Sequence, residues 1–350
     1  MPLNIHIVDY KYVERDLERA IPDNYNTNFH TAADAPDDPI PSNKPFSYDI
    51  WLPPILRSRG VPASDLQVIV LHRPQIELLV KAAAASIHTR VLNRSYAEDL
   101  QEEVYPAFQS LTFPPEGLFM RLGACSPKDG AHTTPGVLSL QSVEDIVLRM
   151  TTSLRTWSAL TNVLNSDAEE THAYFLTFDP RLQSSREYRV FCCPESLRIT
   201  AVSQYEWHKP WIFANKDRDR MGERAQSIVD GIEKVHDEIL EFMQAQEDPE
   251  LERVIRRQGF TFDVFYDQLD DVCRLIELNT FGVRSACGSC LFHWLRDREL
   301  LYGNEGGPGI VFRVTMRRDE TDEKGEPWIS PDMSRVNKNA AVLKWLGSFN

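Results

Sequence analysis

The residue types best suited to chemistry fall in Phe262-Asp263-Val264 and, across a short polar connection, in Ile276-Glu277-Leu278-Asn279. Side chains alternate along a strand, so Glu277 and Asn279, two apart, share one face. Asp263 falls on the neighbouring strand-like run, where register could bring it beside them. Two carboxylates and an amide oxygen are hard ligands, and such a set suits Mg2+ held jointly with phosphate oxygens. A bare cluster of acids on an apolar strand pair would be costly, because like charges at close range oppose ionisation. The same spacing also fits the solvent face of an ordinary amphipathic hairpin, where acids and amides are common near turns.

A second group is Glu187-Tyr188-Arg189-Val190-Phe191. Glu187 and Arg189 share one strand face, and Arg189 could offer its planar fork to a phosphate while Glu187 orients it or a ribose hydroxyl. A cross-strand surface ion pair is the plainer reading of the same residues. At Arg121-Leu122-Gly123-Ala124-Cys125-Ser126-Pro127-Lys128-Asp129-Gly130 a basic residue precedes a Gly- and Pro-bearing loop, as a phosphate contact with close backbone approach requires. The G-x-x-x-x-G-K-[ST] spacing is absent, and so are G-x-S-x-G and H-E-x-x-H. His208, between Trp207 and Lys209, reads as a packing residue. Trp207, Trp211 and Phe213 fit either a docking patch or, more commonly for aromatics this close, core.

The elements that must position these residues can be read from pattern. Strand-like runs lie at Tyr188–Cys193, Arg198–Gln204, Phe260–Tyr266, Val272–Leu278 and Ile310–Met316, rich in β-branched and aromatic residues. Short connections join the first two runs and the next two, so antiparallel hairpins are expected. Helical composition runs between Leu78 and Leu100. A helix capped by Ser142 carries apolar Ile146, Met150, Leu154 and Trp157. Another spans Gln226 to Gln244, with Ile228, Ile232, Val235, Ile239 and Phe242 inward and Asp248-Pro249 closing it. Helix–hairpin alternation indicates an α+β protein. Residues 23–47, rich in Asp, Asn, Pro, Thr and Ser, read as an exposed polar loop, with what precedes them an appendage.

The 350 residues are 42% hydrophobic and 26% charged, a globular composition long enough for one large domain or two lobes. A net charge of −14 argues against direct nucleic-acid binding, which draws on clustered Lys and Arg. The amino terminus carries charges inside any apolar run and no stretch reaches a membrane span, so a cytoplasmic protein is expected, with no membrane partner. The six cysteines read as reduced thiols. Cys287-Gly-Ser-Cys290 has redox or half-zinc spacing, but nothing completes a tetrahedral set. Cys192 and Cys193, adjacent on a strand, point to opposite faces.

Taken in order, these segments resemble the cell division cycle protein 123 family, from roughly Tyr105 to Asn337. Phe119-Met120-Arg121-Leu122 through Ser126-Pro127-Lys128-Asp129 looks like the family's Lys-bearing loop ahead of a P-K-D-A run. Glu187-Tyr188-Arg189-Val190-Phe191 and Val202-Ser203-Gln204 look like its E-F-R and I-S-Q strands. Phe262-Asp263-Val264, Ile276-Glu277-Leu278-Asn279-Thr280-Phe281-Gly282 and Ser289-Cys290-Leu291-Phe292-His293-Trp294 resemble its F-D-V, I-D-F-N-P-F-G and S-L-L-F-x-W segments. No single motif is decisive, but the ordered set is specific.

The resemblance implies an ATP-grasp-like α+β fold of two lobes, with antiparallel sheets enclosing a nucleotide cleft. It implies Mg2+ on Asp263, Glu277 and Asn279, and ATP phosphates neutralised by Arg121 and Arg189. Thr177, Phe178 and Asp179 would meet adenine, and Gly123, Asp129, Glu187 and Gln204 would complete the nucleotide surroundings. The sequence departs from the family at Arg121 (for Lys), Gly123 (for an amide), Thr177 (for a basic residue) and Glu277 (for Asp). The implied organisation is a divergent segment over residues 1–104, a core over 105–337 and a tail over 338–350. The implied role is an assembly factor that uses Mg-ATP to dock the gamma subunit of translation initiation factor 2. A carboxylate–amine or carboxylate–thiol ligase working through an acylphosphate would use the same metal ligands. A nucleotide-free interaction protein is the third alternative.

Overall fold

A computed structural model describes residues 2–19, 23–215, 217–304 and 309–317; the expected tail at 338–350 lies outside them. Along the chain come β1 (Leu3–Asp9), α1 (Tyr10–Leu17), α2 (Tyr48–Arg59), β2 (Gln67–His72), α3 (Arg73–Ser86), α4 (Ala97–Glu103), β3 (Leu118–Leu122), α5 (Val143–Thr152) and α6 (Leu154–Leu164). They are followed by β4 (Glu170–Thr177), β5 (Glu187–Cys192), β6 (Ile199–Gln204), α7 (Arg218–Ala245), α8 (Pro249–Gln258), β7 (Phe260–Asp267), β8 (Val272–Thr280), α9 (Arg298–Leu301) and β9 (Ile310–Met316). The chain is α+β, as its pattern indicates. It divides into two units, one formed by residues 1–46 together with 182 onward, the other by Ser47–Arg181.

The first unit is built on a six-stranded sheet in the order β1-β9-β6-β5-β7-β8. The β5–β6 and β7–β8 hairpins are antiparallel, as their short connections require, and β5 also pairs antiparallel with β7. β9 runs parallel to both β1 and β6, so the sheet is mixed rather than antiparallel throughout. One face is apolar. Phe260 and Phe262 stack on His236 of α7, whose Ile228, Ile232, Val235 and Ile239 are buried. α7 is longer than the apolar repeat suggests, because Asp217 caps it by accepting from the Arg220 N–H. Asp248 closes nothing by itself; it caps α8, with Pro249 in the first turn. Gly259, which joins α8 to β7, has φ +72° and lies so close that an added Cβ would stand 2.6 Å from the Cys192 carbonyl oxygen.

The opposite face of this sheet is covered by the segment after β8. Phe191 meets Phe292 and Trp294 edge-on, and Trp294 meets Phe281 in the same way. Residues 24–30 lie along that segment as a strap. The Asn26 N–H donates to the Cys290 carbonyl at 2.6 Å, the Phe29 N–H to Ser285 at 2.9 Å, and the Trp294 N–H to Thr27 Oγ1 at 3.0 Å. Buried Asp16 accepts from the Asn24 and Tyr25 N–H groups and from Asn24 Nδ2. The expected exposed loop at 23–47 holds for most of residues 31–44 and is corrected at 24–30, at Ala35 and at 45–46. Its polar residues satisfy the 283–294 backbone, and Tyr25, Ala35 and Phe46 are buried. Nor is what precedes it an appendage, since β1 pairs with β9 along its whole length.

The second unit has an antiparallel three-stranded sheet, β2-β4-β3. Ile69, Leu71, Leu118, Met120 and Phe175 form one core with Ile76 and Leu79 of α3 and Ile146 and Met150 of α5. Ser142 caps α5 as expected, accepting from the Asp145 N–H at 3.2 Å. That helix stops at Thr152, and Ser153 caps a separate one by accepting from the Thr156 N–H, so Leu154 and Trp157 belong to α6. The helical segments expected between 78 and 100 are two helices, α3 and α4, parted by a turn in which Arg90 has φ +57°.

Candidate functional site

The chemistry-bearing residues of the first unit stand in one transverse row. His6, Arg313, Ser203, Arg189, Asp263 and Glu277 occupy β1, β9, β6, β5, β7 and β8, each directly opposite the next. Direct cross-strand partners share a face, so a polar line crosses the whole sheet on the side away from α7. At its far end Asp263 faces Glu277, and Asn279, two residues on, continues that face. Between Asp263 and Val264 the register shifts and Ile276 has no cross-strand partner. This bulge ends the regular alternation beside the two carboxylates.

Arg189 resolves the cost of burying Asp263, which is 1% exposed. Its Nε donates to Asp263 Oδ1 at 2.8 Å and its Nη2 to Oδ2 at 2.7 Å, a bidentate pair. Nη1 donates to the Gly288 carbonyl at 2.7 Å, and the guanidinium lies 5.1 Å from the Tyr205 ring centroid. Burial alone would lower the Arg189 pKa; Asp263 more than offsets it and holds it well above the ordinary value. The partner is thus Asp263 in the interior, neither Glu187 nor a surface acid. Gly288 is fixed from the strap, for a Cβ there would meet Asn26 Oδ1 at 2.1 Å.

Tyr205 reports the charge balance around this pair. Burial raises its pKa, Arg189 opposes, and Asp263, Glu277 and Glu187 push it further up. Glu187, Asp263 and Glu277 are all buried around this pair, and carboxylate oxygens of this kind are hard donors that suit a divalent cation. Asn279 Nδ2 is buried without a hydrogen-bond partner among the described residues. An acceptor such as a phosphate oxygen would satisfy it, and the amide turned over would offer Oδ1 beside the carboxylates. Among the described residues no three His, Cys, Asp or Glu side chains are grouped to hold a metal by themselves. A cation here would rest on two carboxylates, the Asn279 amide and oxygens brought by a ligand, the pattern of Mg2+ in phosphate sites. The donor set fits that ion.

Other expected residues have different surroundings. Gln204, opposite Tyr188, falls on the face away from the row, and its amide donates to the Glu206 and Lys209 carbonyls and accepts from the Thr315 N–H. Cys287 and Cys290 are buried thiols whose pKa values burial pushes up to about 11 and about 12. All six cysteines are free, so they act as packing groups. His208 is exposed rather than packed, whereas Trp211 is core and donates to the Tyr188 hydroxyl.

Arg121, Gly123, Asp129, Thr177, Phe178 and Asp179 lie in the second unit. Arg121, 6% exposed, stacks 4.8 Å above Tyr48 and pairs across the sheet with Tyr174. Gly123 accepts at its carbonyl from the Tyr48 N–H. Asp129 caps α6 through Ser153 Oγ at 2.6 Å and the Arg155 N–H, which gives it a structural task. Thr177 is exposed at the end of β4, the Phe178 N–H donates to the Gly117 carbonyl, and Asp179 is held by the Arg181 fork.

The sequence profile of the D123 family matches residues 88–334, more than half of the chain. The chain belongs to the D123 family. Its fold is similar to that of Cdc123 from Schizosaccharomyces pombe, at 18% identity and a TM-score of 0.49, covering 76% of this chain and 94% of that one. A C-terminally truncated Cdc123 from the same organism gives 18% identity and a TM-score of 0.49, with 77% and 96% covered. No curated protein sequence matches it. The D123 match spans the Arg189–Asp263–Glu277 part of the row and excludes His6 and the strap at 24–30. Sequence reading missed Tyr205, Gly288, Asn26 and Arg313. Only Arg313 carried a signal, a lone charge inside the apolar run Ile310–Met316.

Proposed function

We propose that this D123-family chain binds Mg-ATP through the polar row of its first unit and serves as an assembly factor for translation initiation factor 2, docking the gamma subunit. The observation that carries the ATP reading is the direct pairing of Asp263 with Glu277, on the face continued by Asn279. Those three residues would hold Mg2+, and the cation would supply charge neutralisation for phosphate oxygens. Arg189, already bonded to Asp263, would turn N–H donors to the phosphate oxygens. The client comes from the family resemblance and the acidic balance of the chain, which suits a protein partner better than a nucleic acid.

Calorimetric titration of Mg-ATP into the chain and into Glu277→Gln tests the site. This variant is preferable to Asp263→Ala because it leaves the Arg189–Asp263 pair intact. Saturable binding that weakens at least tenfold in the variant is expected; equal binding in both, or none in either, overturns the assignment. With ATP present at physiological salt, the gamma subunit should be retained by the immobilised chain. Sustained ADP release that depends on an added acid and amine would replace the assembly role with ligase chemistry.

A further inference from the structure

Arg189 takes both oxygens of the carboxylate that a cation at this site would need. Asp263 is 1% exposed, and the two N–H donors sit 2.8 and 2.7 Å from its oxygens. A cation arriving alone competes with the fork for the charge of the Asp263 oxygens and weakens the guanidinium's hold on its nearest counter-charge, which is unfavourable. A phosphate changes this balance. Two of its tetrahedral oxygens offer the fork a pair of acceptors, as the carboxylate they replace does. Meanwhile the Gly288 carbonyl, 2.7 Å from Nη1, and the Tyr205 ring keep the guanidinium in place while Nε and Nη2 change partners.

Building on the Mg-ATP reading, we infer that Arg189 is an exchangeable internal cation for Asp263, so that a divalent cation and a phosphate-bearing ligand enter this site only together. Each lowers the cost of the other's binding, and the coupling is reciprocal. Asn26 and Gly288 are positioning residues in this exchange. They hold the carbonyl on which the guanidinium pivots.

The test is a Mn2+ titration of the full chain followed by the paramagnetic resonance of free Mn2+, with and without a non-hydrolysable ATP analogue whose own Mn2+ binding is measured without protein and subtracted. The wild-type chain should bind Mn2+ at least about tenfold more tightly with the analogue present. Arg189→Met should bind Mn2+ alone about tenfold more tightly than wild type and lose most of the coupling. Arg189→Lys keeps the charge but contacts one oxygen at a time, so it should also gain Mn2+ affinity, which a purely long-range charge effect would not give. Should Arg189→Met fail to fold, the wild-type coupling and the Lys variant decide. Equal Mn2+ affinity with and without the analogue, in a chain that binds both, overturns the exchange and leaves the Mg-ATP site standing. No gain in either variant does the same. Absence of Mn2+ and analogue binding in every form overturns the Mg-ATP reading and the exchange with it.

Discussion

Asp263 owes its burial to one side chain. With Arg189 present the carboxylate is paired at both oxygens, and the guanidinium has a further acceptor in the Gly288 carbonyl. Removing one partner of such a pair leaves an uncompensated buried charge, so Asp263→Ala should destabilise the chain by about 3–5 kcal/mol. Glu277→Gln, which leaves the pair whole, should cost much less. Urea unfolding of both variants checks this, and similar losses would show that Arg189 does not depend on Asp263. The Asp263–Glu277 juxtaposition was legible in the sequence because a short hairpin limits register. The Arg189–Asp263 pair was not, because β5 and β7 are separated by β6, α7 and α8, and no local pattern says that they become neighbours. Asp129 shows the converse: its place in a motif-like loop suggested a ligand, whereas its carboxylate caps α6.

Among the elements, β5 to β9 were legible within a residue or two, since each is a β-branched and aromatic run bounded by turn residues. β1 to β4 were not, nor was the strap, whose Asn and Thr residues have a loop's composition but lie along the 283–294 segment. The docking of α7 onto the sheet has a consequence of its own. His236 of that helix lies against Phe260 and Phe262 and meets the Leu197 carbonyl at 2.8 Å. Burial lowers its pKa, with the Leu197 carbonyl opposing. The unfolded chain therefore takes up the proton first, and the stability is complete above about pH 6.5 and lost as pH falls below it. His6, His30 and His293 are lowered by burial in the same unit, His293 to about 3. Each can contribute up to about 1.4 kcal/mol per pH unit in this window. Urea midpoints should fall between pH 7 and pH 5, and His236→Phe should flatten the slope; an unchanged slope would mean that His236 is protonated in the folded chain.

At the scale of the molecule, the sequence suggested a boundary near residue 104, while contacts divide the described chain at 46–47 and 181–182. Composition could not reveal this, because both ends of the first unit are needed to build one sheet: β1 from the start of the chain lies beside β9 from residues 310–316. A unit assembled from distant segments leaves no compositional seam. The second unit is one uninterrupted stretch, and its core of Ile69, Leu71, Leu118, Met120, Ile146, Met150 and Phe175 draws on that stretch alone. At 135 residues it has the length of an ordinary independent domain. The fragment Ser47–Arg181 should therefore fold by itself, with a single cooperative thermal transition and dispersed amide resonances. The same fragment carrying Phe175→Ala should lose about 3–5 kcal/mol, because Phe175 is fully buried in that core. A fragment that stays unfolded, or one indifferent to Phe175, would mean that the core is completed only by the rest of the chain.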